Sequence, residues 1–311
     1  MNNLVGDFFY SVNKDLINKN TRDTWHSHRK KTMETIFTAS SKIANHTKNI
    51  VILGSGSCND IELEDLVSHF SEIVLIDIDL ESTKEAMKSL EISKQRAITL
   101  LNWDITGLHA KFIPKLIKLV TKIKDGNQIK KIIEFIQNQI DRLYLPPFPE
   151  NLSQRGFDIT VSPCISSQLF MPIFIEFILN PLQNKYVHTS PKKIEQLIMV
   201  ANLLGRALAN QHLLLLTKLT KPGGKIVFLS DSLEWGYNNG NKLPLTYIIK
   251  NPDELLDYKV INKIPEKYFI VGSTPNFYKD NLLSKIEAIQ FWLWPFDYHR
   301  YYLVRGYIIG C

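Results

Sequence analysis

The feature that most constrains the fold is a short apolar run that ends at two closely spaced glycines. Residues 49–53 read NIVIL, Gly54-Ser55-Gly56 follows, and the chain then becomes polar before a helical pattern begins. A glycine at the end of a buried strand lets the backbone turn sharply, and a second one removes a Cβ that would keep a ligand away. The N-terminus of the next helix directs free N–H groups at whatever is bound. We therefore predict a strand, a ligand-approaching turn and a helix.

Apolar runs and helical patterns alternate along the chain, which predicts an open, mostly parallel α/β sheet of the Rossmann-like, doubly wound kind. The predicted strands are residues 49–53, 73–76, 97–101, 157–161 and 225–229, and the predicted helices are 21–44, 61–70, 82–90 and 194–219. The aromatic and β-branched runs 289–294 and 301–309 predict an antiparallel hairpin. Together these elements predict a seven-stranded sheet.

One domain is expected over residues 1–311, because a chain with 44% apolar residues buries a large core at this length. Residues 1–45 are predicted to form an N-terminal helical cap. Residues 107–156 repeat apolar side chains at helical spacing and are predicted to form a helical insertion. Residues 235–276 are rich in Asn, Gly, Pro and Tyr, which predicts a lid or substrate-binding excursion.

Composition limits the class of protein further. The first residues lack the basic and then apolar pattern of a signal peptide, and no apolar run approaches the ~20 residues that span a bilayer. The three cysteines, Cys58, Cys164 and Cys311, have neither disulfide nor zinc-ligand spacing. We expect a cytoplasmic protein without a metal and without a membrane partner. The net charge of +6 suits an anionic partner but does not decide the question.

Two acidic residues follow the second and third predicted strands. Asp77 ends the second strand, and Asp104 lies just beyond the third, in the sequence LNWDI. Ligands in open α/β sheets bind beyond the carboxyl ends of the strands, where a carboxylate after the second strand accepts the hydroxyls of a ribose. One adenosine-like ligand would therefore contact the glycine turn and both acids.

The chain resembles the class I S-adenosylmethionine-dependent methyltransferases over roughly residues 45–311. The likeness is carried by ILGSGS, LIDIDLESTKEAM, NWDIT, FDITVSP and LTKPGGKIVFLSD, and by the C-terminal hairpin in the place of the family's reversed last strand. The resemblance implies S-adenosylmethionine as cofactor. It also implies a cofactor site made by eight residues: Gly54, Ser55, Gly56, Asp77, Ile78, Asp104, Ile105 and Ser162.

The resemblance assigns separate roles within that set. The glycines would approach the methionine part of the cofactor, Asp77 would hold the ribose hydroxyls, Ile78 would pack on the adenine, and Asp104 would bond the adenine amino group. The chain departs from the family at Ile52 and Cys58, where an acid and a third glycine are usual. Asp60 either replaces the acid that holds the cofactor's ammonium group or caps a helix. Asp79 is expected to be a helix N-cap.

The expected function is methyl transfer to an oxygen or nitrogen of a small or medium organic molecule. A nicotinamide-dependent dehydrogenase fits less well, because Asn59 stands where its third glycine is needed. Two alternatives stay open. One is an RNA methyltransferase that uses Lys111, Lys115, Lys118 and Lys122, although a solvated helix face is the favoured interpretation of this stripe. The other is a cofactor-binding protein without turnover.

The sequence names no firm catalytic residue. The fourth-strand end, Ser162-Pro163-Cys164, lacks the Asn/Asp-Pro-Pro-aromatic signature of nucleobase amino methyltransferases. Cys164 follows a proline as a covalent nucleophile would, but a small pocket-lining side chain is the favoured interpretation. His26 and His28 are weak candidates for a base, with solvent exposure as the alternative. His188 and His299 have no stronger claim, and His212 is expected to be buried.

Overall fold

The computed structural model describes residues 4–18, 20–44, 48–153, 156–186, 190–238, 240–277 and 279–311. Its strands are β1 Asn49–Leu53, β2 Glu72–Asp77, β3 Ile98–Asn102, β4 Phe157–Pro163, β5 Thr220–Asn238, β6 Asn241–Lys242, β7 Ile286–Asp297 and β8 Arg300–Gly310. Seven of them follow the order β3-β2-β1-β4-β5-β8-β7, and β6 pairs with β5 off this path. The predicted sheet is confirmed, with the two-residue β6 as an addition.

Strands β1 to β5 are parallel where they pair with one another, and β8 runs antiparallel to both β5 and β7. The predicted C-terminal hairpin is therefore confirmed, and β1 pairs with both β2 and β4. The strands at the centre are continuous apolar runs because helices cover both faces of the sheet. Accordingly, Ile50, Val51, Ile52 and Leu53 of β1 are fully buried.

The α-helices are α1 Leu4–Asn18, α2 Thr21–Thr24, α3 His26–Ser41, α4 Leu63–His69, α5 Leu80–Met87, α6 Ile92–Gln95, α7 Phe112–Thr121, α8 Ile129–Ile140, α9 Glu150–Ser153, α10 Met171–Phe174, α11 Asn180–Tyr186, α12 Pro191–Leu219 and α13 Tyr258–Ile261. A π-helical turn, Ile175–Leu179, joins α10 to α11. Short 3₁₀ turns are Gly126–Gln128, Pro244–Tyr247, Pro252–Leu256, Glu266–Tyr268 and Lys279–Lys285. No helix in the described ranges has both the length and the apolar character to cross a bilayer.

Two apolar layers enclose the sheet. One contains side chains of α7, α8 and α12 and the helical turns after β4, and the other contains side chains of α3, α4 and α5. The predicted helix 21–44 is interrupted at Trp25, which ends α2 and precedes α3. Helix α1 was not predicted as a separate element. Its apolar residues recur at helical spacing, and several of them contact the layer that contains α7 and α8.

The two segments predicted as additions to the sheet differ in structure. In residues 107–156, α7 and α8 form a helical pair in which the rings of Phe112 and Phe135 stack at 5.1 Å. In residues 235–276, short turns surround α13, and their apolar side chains pack with Leu233 and Leu303 as a separate small cluster. This cluster lies on the long extensions of β5 and β8.

Candidate active site

A cavity of about 510 Å³ opens where the parallel strands end at their carboxyl edge. Its wall includes residues that follow β1 to β4, together with Asp231 and Glu234 of β5, as expected for a ligand site in an open α/β sheet. Helix α1 closes it from above with Phe8, Phe9, Val12, Asn13 and Leu16. The volume falls in the range of roughly 300–1,000 Å³ that is usual for small-molecule sites.

The cavity brings together seven of the eight residues predicted to bind a cofactor. The residues on its wall are Gly54, Ser55, Gly56, Asp77, Ile78, Asp104 and Ile105. Ser162 does not line it. The side chain of Ser162 is fully buried in β4, where its hydroxyl lies 2.8 Å from Nε2 of His212. This placement corrects the expectation for Ser162, whose position at a strand end had suggested exposure to the ligand.

The glycine turn is shaped by its neighbours as well as by any ligand. Gly54 and Gly56 have φ angles of 81° and 48°, in the left-handed region that favours glycine. A Cβ on Gly54 would lie 2.2 Å from Cδ1 of Ile165, so the turn after β4 fills the space that this glycine leaves. A Cβ on Gly56 would lie 3.3 Å from Oδ1 of Asn13. The missing Cβ atoms therefore admit β4 and α1 close to the turn.

Asp77 fastens this turn to the end of β2. Its Oδ2 accepts the N–H of Gly56 at 2.7 Å, and its Oδ1 accepts the N–H of Asp79 at 2.8 Å. Burial raises the pKa of Asp77 to about 6, and these hydrogen bonds oppose the rise. Asp79 caps α5 by accepting the N–H of Ser82, which confirms its predicted role, and it also accepts a bond from Asn13.

Asp104 organises the turn after β3 in the same manner. Its Oδ1 accepts the N–H groups of Thr106 and Gly107 at 3.0 Å each, and its Oδ2 accepts the N–H of His109 at 2.7 Å. His109 also lines the cavity, and neither ring nitrogen has a hydrogen-bond partner within the described chain. Burial lowers the pKa of His109, while Asp104 opposes this shift. Asp104 was predicted at this edge because it follows the third strand, whereas His109 was not predicted.

A buried pair connects α3 to the cavity. Nε1 of Trp292 donates to Nδ1 of His28 at 2.9 Å, so the proton of the neutral imidazole lies on Nε2. That nitrogen is 3.1 Å from Oδ1 of Asp60, although the two atoms are not aligned as a hydrogen bond. Asp60 lines the cavity and His28 does not. The fully buried His28 is therefore neither solvated nor in reach of a substrate, which corrects both earlier interpretations.

The opposite end of the cavity contains two carboxylates that the sequence analysis missed. Both oxygens of Asp231 accept the hydroxyl of Ser167, at 2.8 and 2.9 Å, and Oε1 of Glu234 accepts the hydroxyl of Tyr302 at 3.0 Å. Burial raises the pKa of Asp231 to about 7, the Ser167 bond opposes the rise, and the charge of Glu234 adds to it. Asp231 lies two residues beyond the predicted strand 225–229, so the rule that selected Asp104, three residues beyond its predicted strand, could have selected Asp231 as well.

Aromatic side chains surround these carboxylates. Trp25, Trp294, Phe296 and Tyr302 all line the cavity. The Trp25 ring lies edge-on to Trp294 at 4.6 Å, and Phe296 lies edge-on to Tyr302 at 5.1 Å. Nε1 of Trp25 donates to the carbonyl of Phe296, which joins α2 to the end of β7. The arrangement is a packed wall of rings around an acidic end.

The remaining catalytic candidates do not reach this cavity. His26 is exposed at the start of α3, and Cys164 is fully buried behind the wall with a φ of 53°. Burial raises the thiol pKa of both Cys58 and Cys164, so each is held as an unreactive thiol. Cys58 and Cys164 are both absent from the wall, so the interpretation of Cys164 as a small pocket-lining side chain is wrong. His188 lies outside the described residues.

The strand order, with β8 reversed beside β5, defines a Rossmann-like α/β fold with the sheet arrangement of the class I methyltransferases. No protein-family model matches the sequence, and no curated protein matches it. Solved structures with some likeness include a methyltransferase of Thiobacillus denitrificans in complex with S-adenosyl-L-homocysteine. It has 11% identity and a TM-score of 0.38, and the match covers 89% of this chain and 91% of that one.

Two further solved structures match a smaller share of the chain. The structure of a putative methyltransferase with the Haloferax volcanii Trm112 activator has 12% identity and a TM-score of 0.35, over 72% of this chain and 60% of that one. An amino pentose methyltransferase of Micromonospora echinaspora has 10% identity and a TM-score of 0.32, over 68% of this chain and 57% of that one. The chain thus spans less than two thirds of these two proteins. Since every TM-score is below 0.5, none of these likenesses bears on its activity.

Proposed function

We propose that the protein transfers a methyl group from S-adenosylmethionine to an oxygen or nitrogen of a small or medium organic molecule. The observation that carries the proposal is one continuous cavity with two different ends. One end combines the glycine turn with Asp77 and Asp104, and the other combines Asp231 and Glu234 with aromatic rings. The first end suits an adenosine with its methionine arm, and the second suits another organic molecule.

The residues of the first end fit the cofactor in their hydrogen-bonding capacity. Each oxygen of Asp77 accepts one backbone N–H, so each keeps acceptor capacity for a ribose hydroxyl. Oδ2 of Asp104 likewise keeps capacity for the adenine amino group. Among the hydrogen bonds of the described residues, none uses the N–H of Ile105, which leaves a donor for an adenine nitrogen. Ile78 supplies an apolar wall for the base.

Asp60 is the group proposed to hold the cofactor's ammonium. It lies on the wall beside the glycine turn, and its only cationic neighbour among the described side chains in direct contact is His28. Nδ1 of His28 accepts the N–H of Trp292, so His28 contacts Asp60 only through Nε2. The family's usual acid, absent at Ile52, is thereby replaced from the other side of the turn.

When bound, S-adenosylmethionine supplies an activated methyl group: the acceptor's lone pair forms the new bond to carbon, and the electron pair of the broken carbon–sulfur bond stays on sulfur. Asp231 is proposed to accept the proton that an acceptor O–H or N–H must lose. Its pKa of about 7 suits a base that works near neutral pH. Helix α1 and the aromatic wall cover part of the cavity.

Calorimetric titration of the protein with S-adenosylhomocysteine, and separately with NAD⁺ and NADH, tests the proposal. We expect saturable binding of S-adenosylhomocysteine and none of the nicotinamide cofactors. Asp231→Asn should keep this affinity, because Asp231 lies at the other end of the cavity. Absence of S-adenosylhomocysteine binding by the folded protein would refute the proposal, and tight NADH binding would favour an oxidoreductase.

A further inference from the structure

Building on the methyl transfer proposed above, we propose that the acceptor is a small amine, bound as its ammonium form between Asp231, Glu234 and the aromatic wall. The acceptor-binding end is here defined by Ser167, Asp231, Glu234, Trp294 and Tyr302. These residues come from the turn after β4, from β5 and from the C-terminal hairpin. The proposal narrows the acceptor from any oxygen or nitrogen compound to one chemical class.

The charge of the cavity wall gives the first argument. Five carboxylates line it: Asp60, Asp77, Asp104, Asp231 and Glu234. In the part of the chain that the structure describes, no lysine or arginine lines it. An anionic acceptor, such as a carboxylate or a phosphate, would therefore meet like charges without a compensating cation. A cationic acceptor meets charges of the opposite sign.

The environment of Asp231 gives the second argument. Its side chain is only 7% exposed, and the surface that remains faces the cavity. No lysine, arginine or histidine pairs with it among the described residues, and the hydroxyl of Ser167 is its side-chain donor. An unpaired buried carboxylate is costly to keep ionised, and a bound ammonium group removes much of that cost. The cavity is the direction from which such a group can approach.

Glu234 adds a second, weaker charge at the same end. Its Oε1 accepts the hydroxyl of Tyr302 at 3.0 Å and lies 3.5 Å from Nη1 of Arg300. The guanidinium of Arg300 already lies over the ring of Phe296, outside the cavity wall. Arg300 therefore compensates part of the negative charge of Glu234 without itself lining the cavity. The uncompensated charge at this end is that of Asp231.

The rings give the third argument. Trp294 and Tyr302 stand 5.5 Å apart beside the two carboxylates, and Trp25 packs edge-on against Trp294. Indole and phenol faces attract ammonium groups electrostatically, most strongly where water is excluded. The rings would thus contact the apolar body of an amine, while the carboxylates bind its charged ammonium group. A neutral alcohol would use the rings but would leave Asp231 without a counter-charge.

The test uses molecules that share one body and differ only in the head group. Tryptamine, tryptophol and indole-3-propionate carry an ammonium, a hydroxyl and a carboxylate, and a phenyl series and a hexyl series repeat this comparison. Calorimetry measures binding of each compound with and without saturating S-adenosylhomocysteine. We expect at least one amine to bind the loaded protein ~10-fold or more tightly than its alcohol, as one charge-assisted hydrogen bond provides. The carboxylates should not bind.

Variants assign the effect to the acceptor-binding end. Asp231→Asn should reduce amine affinity by ~10- to 100-fold and leave the affinity for the matching alcohol and for S-adenosylhomocysteine unchanged. Ser167→Ala keeps the charge and should reduce amine affinity only a few-fold. Asp141→Asn, which removes the charge of an exposed aspartate at the end of α8, is the matched control and should change none of these values.

The outcomes separate this inference from the function on which it rests. If S-adenosylhomocysteine binds but no amine exceeds its alcohol, the amine proposal is overturned and methyl transfer stands. If amines bind and depend on Asp231 while S-adenosylhomocysteine does not bind, the ammonium site stands and the proposed methyl transfer fails. Amine binding that Asp231→Asn leaves intact would also overturn the assignment.

Discussion

The two ends of the cavity are both acidic, but their carboxylates are held in different ways. At the glycine-turn end, Asp77 and Asp104 accept backbone N–H groups from residues two to five positions away and, for Asp77, also from Gly56, 21 positions away. At the acceptor-binding end, Asp231 and Glu234 accept hydroxyl groups from side chains 64 and 68 residues away. Backbone donors favour the ionised form of a carboxylate and oppose the rise in pKa that burial causes, and a single hydroxyl donor opposes it through one group only.

This difference matches two different tasks. A cofactor site must present fixed acceptors to the same ribose and adenine in every cycle, and backbone N–H groups provide that rigidity. A base must instead change its protonation state near neutral pH. In agreement, burial raises the pKa of Asp77 to about 6 and that of Asp231 to about 7.

The largest effect is expected at the glycine turn, where Gly54 lies against Ile165 of the turn after β4. Gly54→Ala introduces a Cβ 2.2 Å from Cδ1 of Ile165 at a φ of 81°. Strain and overpacking together should lower the free energy of unfolding by about 2–4 kcal/mol. Urea denaturation followed by circular dichroism measures the change.

Gly223 is the matched control for this substitution. It has a φ of 80°, and a Cβ there would meet no atom within 4 Å. Gly223→Ala should therefore cost only about 1–2 kcal/mol, the strain without the clash. Adding Ile165→Ala to Gly54→Ala should relieve part of the cost. Equal losses in the two single alanine variants would show that Ile165 does not press on the turn.

The second prediction concerns the rigid end alone. Asp77→Ala removes acceptors for the ribose and releases the N–H of Gly56. We expect S-adenosylhomocysteine affinity to fall by ~10- to 100-fold, as for the loss of hydrogen bonds to a charged acceptor. Calorimetry measures it, with Asp141→Ala as the control for an exposed aspartate. Unchanged affinity in a folded Asp77→Ala protein would remove Asp77 from the site.

The sequence identified the rigid end and missed the other one for a physical reason. Asp77 and Asp104 end or follow short strands that are read directly from apolar runs, and all their hydrogen-bond partners except Gly56 lie within five residues of them. Asp231 lies inside the 19-residue β5, beside a register shift against β8 between Asp231 and Leu233. A bulge of this kind redirects side chains without leaving a periodic signal. The expected strand of residues 225–229 stopped short of it.

Contacts between distant segments were equally hidden. Trp25 meets Phe296 across 271 positions, and Trp292 meets His28 across 264. Periodicity shows that such residues are buried but does not show what they pack against. The α1 residues on the cavity wall did carry a signal, because Phe8, Phe9, Val12 and Leu16 repeat at helical spacing. Of the predicted excursion 235–276, the described wall contains only Ile270.

A third prediction compares the two ends by their response to pH. The folded protein holds the Asp231 proton to pH of about 7, whereas the unfolded chain releases it near pH 3.9. Stability therefore falls as pH rises from about 4 to about 7. Asp231→Asn removes this titration, so the variant should gain on the order of 1–3 kcal/mol relative to wild type between pH 4.5 and pH 8.

Urea denaturation of both proteins at the two pH values measures this gain. Asp77→Asn should show a smaller gain, because the pKa of Asp77 is raised only to about 6. Asp141→Asn should show none. A gain for Asp231→Asn that is no larger than that for Asp77→Asn would contradict the contrast between the two ends.

The smallest effect is expected on a surface that belongs to neither end. Lys111, Lys115, Lys118 and Lys122 are all exposed along α7 and absent from the cavity wall. If the acceptor binds inside the cavity, changing all four to glutamine should leave S-adenosylhomocysteine affinity unchanged. The affinity for tRNA or rRNA fragments should then be the same in the variant as in the wild type. Calorimetry and filter binding at 50 and 200 mM salt test both points. Lysine–phosphate contacts release counterions on binding, so RNA binding through these lysines should weaken steeply with salt. An RNA affinity that behaves in this way and disappears in the quadruple variant would place the acceptor on this helix and favour an RNA methyltransferase.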